Sequence, residues 1–291
     1  MRKTLTASAK VSLLIGVLLP GLGMSYPRLT AADGARSAHA PRTPDTPPCA
    51  SSSPRVACVR DYVKSGSGAQ TDPWRSPSGT AGIWEAELAL GEEGGVVELD
   101  AGWYEVARAV PLRSRIALRG QGRGRTVIIR APGSCEDVNG ANQNAVLWIG
   151  RDLSIEKSQS WYSWNDGRTA SDISVSDLTI DGNFPGQRIV SATDPRLYGF
   201  GGWHDYALRA YGGYERITIS DVEVRNTGNT ALEFYAIRDL TVERVFIHDS
   251  GLLPRIADKN GILVGCANEA GNRECASGWG SNVVIRNSTV R

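Results

Sequence analysis

The chain has no excess of charge of either sign. Its 291 residues include 32 lysines and arginines and 31 aspartates and glutamates, which gives a net charge of +1. Surfaces that bind nucleic acids concentrate lysine and arginine, so this balance argues against a nucleic-acid partner. Aromatic residues are scarce, at 7%, whereas glycine occurs 33 times. This composition suits one elongated domain with many turns.

No hydrophobic run is long enough to span a bilayer. The most apolar stretch, residues 11–24, is interrupted by Pro20 and follows three basic residues. A basic segment before a short apolar segment predicts a signal peptide, here residues 1–32, rather than an uncleaved anchor. We therefore expect a secreted protein, extracellular or periplasmic, without stable membrane insertion after signal removal. Residues 33–56, rich in alanine, proline, serine and threonine, predict a disordered linker before a domain at 57–291.

Only five cysteines are present, and they lack the closely spaced pairs of a zinc site. Cys49 and Cys58 are nine residues apart, as are Cys266 and Cys275, and Cys135 is left over. Five cysteines fit an oxidising compartment, where either pair could form a disulfide. The sequence does not determine the connectivity.

Four stretches repeat one pattern of alternating apolar residues around two polar ones. The second and third begin 23 residues apart, and the outer pairs begin 44 and 43 residues apart, close to two such periods. A repeat of this length indicates stacked copies of one small unit, and the alternation indicates strands with one buried face. The pattern positions are Ile173-Val175-Leu178-Ile180, Ile217-Ile219-Val222-Val224, Leu240-Val242-Val245-Ile247 and Val283-Ile285-Ser288-Val290.

The two middle residues of each repeat are polar where the chain must bend between short strands. These pairs are Ser176-Asp177, Ser220-Asp221, Glu243-Arg244 and Arg286-Asn287. A 23-residue unit with several short strands and no helix predicts an all-β solenoid. Residues 80–90, with Ile83, Trp84, Ala86 and Leu88 apolar, predict a short helix that caps the open end of the first coil.

Two regions of the chain resemble the pectate-lyase-like superfamily. The motifs that carry the resemblance are Gly94-Gly95-Val96-Val97, Ala101-Gly102-x-Tyr104, Leu118-x-Gly120-x-Gly122, Asn260-Gly261-Ile262 and Asn282-Val283. The resemblance covers residues 60–291 and implies a right-handed parallel β-helix. Members of this superfamily include lyases, hydrolases, epimerases, tailspikes and adhesins, so the resemblance implies a polysaccharide partner without specifying the reaction.

Equivalent residues of successive coils line up as ladders, because parallel strands stack ~4.8 Å apart. Aligning the segments before the repeats places Arg209, Glu233 and Leu263 on one outward ladder. Glu233 is a candidate general acid or base, and Arg209 is a candidate for holding a uronate carboxylate. The alternative is a surface ion pair between two coils, which stabilises little. The other candidate catalytic residues at the entry to this ladder are Asp205, Asp258 and Lys259.

A second ladder follows the repeats and consists of Asp181, Arg225, His248 and Arg291. His248 is a candidate general base, since histidine titrates near neutral pH. The alternative is a turn residue that makes a local hydrogen bond.

Aromatic residues cluster in insertions that lengthen the spacing between coils. Long insertions on one face of a solenoid usually carry binding, and flat rings suit stacking on sugars. The alternative is that these rings pack the loops onto the solenoid. The candidate substrate-binding residues are Trp161, Trp164, Trp203, His204, Tyr211 and Tyr235.

The chain departs from the groove motifs of enzymes that it resembles. Polygalacturonase-type enzymes would carry Asn-Thr-Asp where this chain has Asn229-Thr230-Ala231, which argues against a hydrolase with two carboxylates. The Asp-Pro-His-Glu motif of alginate epimerases is absent. Calcium is the one cofactor left open, because Asp205, Glu233 and Asp258 could contribute ligands. No other metal is predicted.

We therefore expect a secreted β-helix protein that binds and cleaves an acidic, uronate-containing polysaccharide, by lyase or hydrolase chemistry. The alternative is a non-catalytic adhesin or tailspike-like module. The last residue, Arg291, directly follows a repeat strand. Since terminal repeats normally cover the open end of a solenoid, we also expect further coils or end-on assembly there.

Overall fold

The computed structural model describes residue 49 and residues 55–134, 145–150, 170–187, 206–252, 260–265 and 281–291. The described helices are α1 (Ile83–Ala89) and two 3₁₀ turns, Val59–Asp61 and Phe184–Gly186. The described strands are β1 (Val56–Cys58), β2 (Gly95–Glu98), β3 (Gly102–Val106), β4 (Val110–Leu112), β5 (Ile116–Arg119), β6 (Thr126–Arg130), β7 (Ala145–Ile149), β8 (Ala170–Asp181), β9 (Tyr206–Arg225), β10 (Leu232–Glu243), β11 (Phe246–His248), β12 (Ile262–Gly265), β13 (Ser281–Arg286) and β14 (Thr289–Val290).

These strands form three parallel sheets, one on each side of a coil that repeats along an axis. Sheet A contains β4, β7, the starts of β9 and β10, and β12. Sheet B contains β1, β2, β5, the start of β8, the middle of β9, the end of β10, and β13. Sheet C contains β3, β6, the ends of β8 and β9, β11 and β14. The chain is therefore an all-β, right-handed parallel β-helix, as the sequence predicts.

The corner between sheets B and C is made by a residue with left-handed backbone conformation. Asp177, Asp221, Arg244 and Asn287 have φ of 57°, 56°, 52° and 53°. Each is the second residue of a polar pair that the sequence places at a bend. Asp and Asn tolerate this conformation because their short side chains form local hydrogen bonds. The predicted bends are confirmed.

The repeat periods of the sequence are the coil lengths of the structure. Ile173 pairs with Ile217, Ile217 pairs with Leu240, and Leu240 pairs with Val283. The first three side chains are at most 1% exposed, and Val283 packs against the same core from a partly buried position. One continuous core results, because each coil buries its apolar side chains against its neighbours.

Helix α1 covers the first coil, although it is shorter than the predicted 80–90 span. It begins after Gly82, which has a left-handed φ of 85°, and it packs against β1, β2 and β4. Ile83 and Ala86 are buried as expected, but Leu88 points outward and is 51% exposed. The position facing the core beside Ala86 is instead Glu87, which is fully buried. Within the described ranges, no helix is long and apolar enough to cross a membrane.

One of the two possible disulfides lies within the described residues. Cys49 and Cys58 are bonded, with a Cα–Cα distance of 5.7 Å, and the Cys49 amide donates to Asp100. The other cysteines, Cys135, Cys266 and Cys275, lie outside the described residues.

Removal of the Cys49–Cys58 bond should lower the free energy of unfolding by roughly 2–3 kcal/mol. The bond closes a loop with a sequence separation of nine, so its loss restores that loop's entropy to the unfolded chain. Urea unfolding of the Cys49→Ser/Cys58→Ser variant, compared with the oxidised parent, measures the difference. A reduced parent that matches the oxidised one would contradict the prediction.

Candidate functional site

The outward face of sheet A carries the ladder that the sequence predicts. Arg209 pairs in register with Glu233, and Glu233 pairs with Leu263. Trp148 precedes Arg209 in the same row. The alternate positions, including Leu208 and Phe234, point into the core and are fully buried. Two chain segments far apart in sequence thus bring a guanidinium and a carboxylate together.

Arg209 and Glu233 form an ion pair, with 2.6 Å between Nε and Oε2. The sequence predicts an exposed pair on the outward face, either at a substrate groove or as a surface ion pair between coils, and the structure shows an outward ion pair that is almost fully buried. The two residues are only 2% and 4% exposed. The outward direction was predicted correctly, and the exposure was not.

The Arg209–Glu233 pair is buried beside an apolar cluster that lies outside the main core. The cluster consists of Ala109, Ala145, Trp148 and Tyr206. The guanidinium carbon of Arg209 lies 4.7 Å from the centre of the Tyr206 ring and 5.3 Å from that of Trp148. Cations interact favourably with aromatic faces, and the interaction strengthens when water is excluded. The rings therefore offset part of the desolvation of Arg209.

The entry to this strand is held by a buried turn. The side-chain oxygen of Asn229 accepts the backbone N–H of Thr230 at 2.8 Å, and its amide nitrogen lies 3.5 Å from the Tyr206 hydroxyl. Asn229 and Thr230 are at most 1% exposed. This turn sets the position at which β10 begins, at Leu232, one residue before Glu233.

Tyr235 follows Glu233 on the same outward side and is half-buried. Its ring lies directly over Gly265, where an added Cβ would be only 2.4 Å from a ring carbon. Glycine at 265 is therefore required by this ring position. Tyr211 pairs in register with Tyr235, as the ladder predicts.

Several predicted site residues lie outside the described residues, and their roles stay predictions. These are Asp205, Asp258, Lys259, Trp161, Trp164, Trp203 and His204.

His248 lies on sheet C, and the structure does not bring it to the Arg209–Glu233 pair. It pairs in register with Arg225, as the second ladder predicts. The sheet B part of β10 and the corner at Arg244 separate it from Glu233. The structure therefore places Glu233 and His248, the two candidates from separate ladders, on different faces.

Both ring nitrogens of His248 are occupied by carboxylates. Nε2 lies 2.9 Å from Glu223 Oε1, and Nδ1 lies 2.7 Å from Asp249 Oδ2. Burial lowers the pKa of His248, but the hydrogen bonds to Glu223 and Asp249 outweigh it and raise the pKa above its usual value. A general base needs an unprotonated nitrogen that faces the substrate. This arrangement favours the alternative reading, a residue that makes local hydrogen bonds.

Metal ligation has little support from the described part of the chain. No group of three or more histidine, cysteine or acidic side chains there is placed to hold a metal ion. Of the three carboxylates considered for calcium, Glu233 alone is described, and its partner is Arg209. Calcium stays a prediction that depends on Asp205 and Asp258.

The sequence reasoning missed Trp148 as part of the site. All five residues of β7 are apolar, so no alternation marks Trp148 as outward-facing, and residues 151–205 separate it from the next coil. No regular spacing connects β7 to β9, so the alignment that found Arg209 and Glu233 could not extend to it.

No family model matches the chain. Among curated proteins it is similar to mannuronan C5-epimerases of Azotobacter vinelandii, including AlgE3 and AlgE1. It is 27% identical to AlgE3 over 210 residues, or 69% of this chain and 10% of that protein. It is 28% identical to AlgE1 over 214 residues, or 70% of this chain and 13% of that protein. The chain thus spans a small fraction of the curated relatives that it matches.

Solved structures with a similar course of the chain include PfbA, a surface adhesin of Streptococcus pneumoniae. That match has a TM-score of 0.47 and 20% identity and covers 69% of this chain and 40% of PfbA. The A-module of the Azotobacter vinelandii mannuronan C-5 epimerase AlgE4 has a TM-score of 0.37 and 20% identity, covering 66% of this chain and 54% of the module. The β-helix assignment itself follows from the strand register of this chain.

Proposed function

We propose that the chain binds an acidic, uronate-containing polysaccharide along the outward face of sheet A and removes a proton from the uronate. The observation that carries this proposal is the Arg209–Glu233 pair, 2.6 Å apart and almost fully buried on the outward side of the sheet. Charged pairs are rarely buried without a reason, because desolvation is costly. The similarity to mannuronan C5-epimerases over 69% of this chain supports an acidic polysaccharide as the substrate class.

The chemistry requires a cation and a base beside one carbon atom. The C5 hydrogen of a uronate is adjacent to the carboxylate, so its removal leaves negative charge that spreads onto the carboxylate oxygens. A guanidinium bound bidentately to that carboxylate stabilises the charge, and it does so more strongly where water is excluded. Arg209 is of the right type for this role, and Glu233 is of the right type for the base.

Substrate binding at Arg209 would change the surroundings of Glu233. In the described state, Arg209 and Glu233 form an ion pair. A uronate carboxylate that binds Arg209 competes with Glu233 for the same guanidinium, which frees the Glu233 carboxylate to accept a proton. Substrate binding would thereby activate the base. Elimination of the O4 substituent then gives lyase chemistry, whereas return of a proton to the other face gives epimerisation.

The substrate would extend past the pair along the ladders of sheet A. Tyr235 is half-buried beside Glu233, and its ring offers a flat surface for a sugar. The near-complete burial of Arg209 and Glu233 also supports a second candidate, a binding module in which the pair is purely structural. A variant of Glu233 that is tested for both turnover and binding distinguishes the two candidates.

Glu233→Gln should lower C5 hydrogen exchange by about 100-fold or more while retaining binding, because glutamine keeps the shape but cannot take a proton. The purified chain is incubated in D₂O with mannuronan and polygalacturonate, with and without calcium. Deuterium at C5 is followed by NMR, and unsaturated ends and reducing ends are followed in parallel. Glu243→Gln, a glutamate on sheet B paired with Arg286 at 2.7 Å, is the matched control.

Each outcome has a distinct meaning. Deuterium at C5 with inverted configuration and no cleavage indicates epimerisation, and unsaturated ends indicate a lyase. Reducing ends without deuterium would replace the proposal with hydrolysis. Polysaccharide binding without any chemistry would leave the binding module, and equal activity in Glu233→Gln and the parent would remove Glu233 from the site.

A further inference from the structure

A polar cluster on sheet C joins two successive coils through His248. One partner, Glu223, belongs to β9, and the other, Asp249, directly follows β11. The second oxygen of Glu223 accepts the hydroxyl of Thr179 on β8 at 2.6 Å. The imidazole also stacks on the Phe246 ring, with 4.7 Å between ring centres. The ring is therefore held from several sides.

Proton counting determines the state of this imidazole. An ionised carboxylate only accepts hydrogen bonds, and His248 faces one at each nitrogen. An imidazolium has two N–H donors and satisfies both carboxylates. A neutral imidazole has one, so its other nitrogen would direct a lone pair at an anion. Where both carboxylates are ionised, this geometry thus favours the protonated ring.

The other charged groups near the His248 ring are two arginines, Arg225 and Arg291. Arg225 of β9 lies next to His248 in the ladder, but its Nε bonds Asp181 at 2.8 Å and its Nη1 lies 3.8 Å from Glu223. Arg291 lies on the far side, with its guanidinium carbon 5.5 Å from the centre of the Phe246 ring. The direct partners of the ring remain the two carboxylates.

We propose that His248 is a pH-dependent clasp between two coils, the coil that carries Arg209 and the coil that carries Glu233. Strand β9 contains both Arg209 and Glu223, and the chain from β10 to β11 contains both Glu233 and His248. Protonated His248 bridges Glu223 and Asp249 and holds the coils together on sheet C. Only the contact to Glu223 crosses between the coils, and deprotonation weakens it because the ring loses its positive charge and one of its two hydrogen bonds.

The direction of the pH effect follows from the shifts of both partners. Hydrogen bonds to Glu223 and Asp249 raise the pKa of His248 despite burial, so its contribution is complete below 6.5 and is lost as pH rises through the folded value. Burial raises the pKa of Glu223, but Thr179, His248 and Arg225 outweigh it and lower the pKa. The contribution of Glu223 is lost as pH falls through that lowered value. The clasp is therefore complete between pH 4.5 and pH 6.5, the ordinary pKa values of the two side chains.

His248→Gln tests the clasp by its effect on thermal stability at two pH values. We expect the variant to melt about 3 °C below the parent near pH ~5.5 and within about 1 °C of it near pH ~8.5. Asp221→Asn is the matched control, because Asp221 bonds Arg244 at 2.7 Å between the same two coils and Arg244 does not titrate in this range. Its effect should be the same at both pH values. An effect of His248→Gln that is equal at both pH values, or larger at the higher one, overturns the proposal.

A second measurement does not depend on the variant folding well. In the parent labelled with ¹⁵N-histidine, both His248 nitrogens should stay protonated to higher pH than in a histidine peptide. Glu223→Gln should bring the transition closer to that of the peptide. A neutral His248 ring near pH ~6 would overturn the clasp. Neither measurement uses a polysaccharide, so failure of the proposed reaction leaves this test unaffected.

Discussion

Arg209→Met should lower the free energy of unfolding by about 3–5 kcal/mol, because it removes the guanidinium that neutralises the buried carboxylate of Glu233. Glu233 is 4% exposed, so little water would replace the lost guanidinium. The stacking of the Arg209 guanidinium on Tyr206 and Trp148 would be lost as well. For a domain of this size, the melting temperature should fall by roughly 10 °C. Urea unfolding at neutral pH measures the change.

A double variant separates the cost of burying an unneutralised Glu233 carboxylate from the cost of losing the contacts of Arg209. Arg209→Met/Glu233→Leu removes both charges and should recover most of the lost stability, since apolar pairs often replace buried ion pairs without cost. Arg244→Met is the matched control on an exposed corner. It breaks a bidentate contact to Asp221, at 2.8 and 2.7 Å, and should cost about 1 kcal/mol or less. Equal costs for Arg209→Met and Arg244→Met would contradict the burial of the pair.

Glu87→Gln should be more stable than the parent at alkaline pH, by roughly 3–5 kcal/mol, and similar to it near pH ~4. Burial in the capping helix raises the pKa of Glu87 to about 8, although the Arg113 backbone N–H and guanidinium lower it in part. The backbone N–H of Arg113 donates to Oε2 at 3.2 Å, and its Nε lies 3.7 Å from the same oxygen. Glutamine retains the acceptor and carries no charge.

The sign of this pH effect follows from the number of protons that the folded and unfolded states bind. The unfolded carboxyl releases its proton near 4.5 and the folded one near 8. Between these values the folded state holds more protons, so the free energy of unfolding of the parent falls as pH rises. Urea midpoints of the parent and Glu87→Gln across this range measure the divergence. Glu93→Gln, whose side chain is 84% exposed, serves as the control, and parallel profiles for the parent and Glu87→Gln would refute the effect.

The coil architecture could be predicted because it depends on local pattern. Alternation of apolar residues defines strands, and polar pairs such as Ser220-Asp221 mark bends that occur at the same place in each coil. The disulfide between Cys49 and Cys58 was one of two pairings that the spacing allowed, and the other, between Cys266 and Cys275, lies outside the described residues. In α1 the pattern suggested that Leu88 is buried. Glu87 is buried instead, because the angle at which the helix meets the first coil is set by tertiary packing.

The candidate site could be predicted only in part. The Arg209–Glu233 pair followed from aligning two neighbouring coils, whereas Trp148 lies before the long insertion and was missed. The burial of the pair depends on aromatic rings contributed by separate strands, so no single coil contains the information.

The repeat in the sequence by itself determined that the chain folds as stacked β-strand coils and which residues form ladders, because alternation and period are properties of neighbouring residues. Only the tertiary structure decided that Glu233 and His248 lie on different faces and that Arg209 and Glu233 are buried. The corners between sheets set the direction of each ladder, and stacking of coils distant in sequence sets its exposure to water.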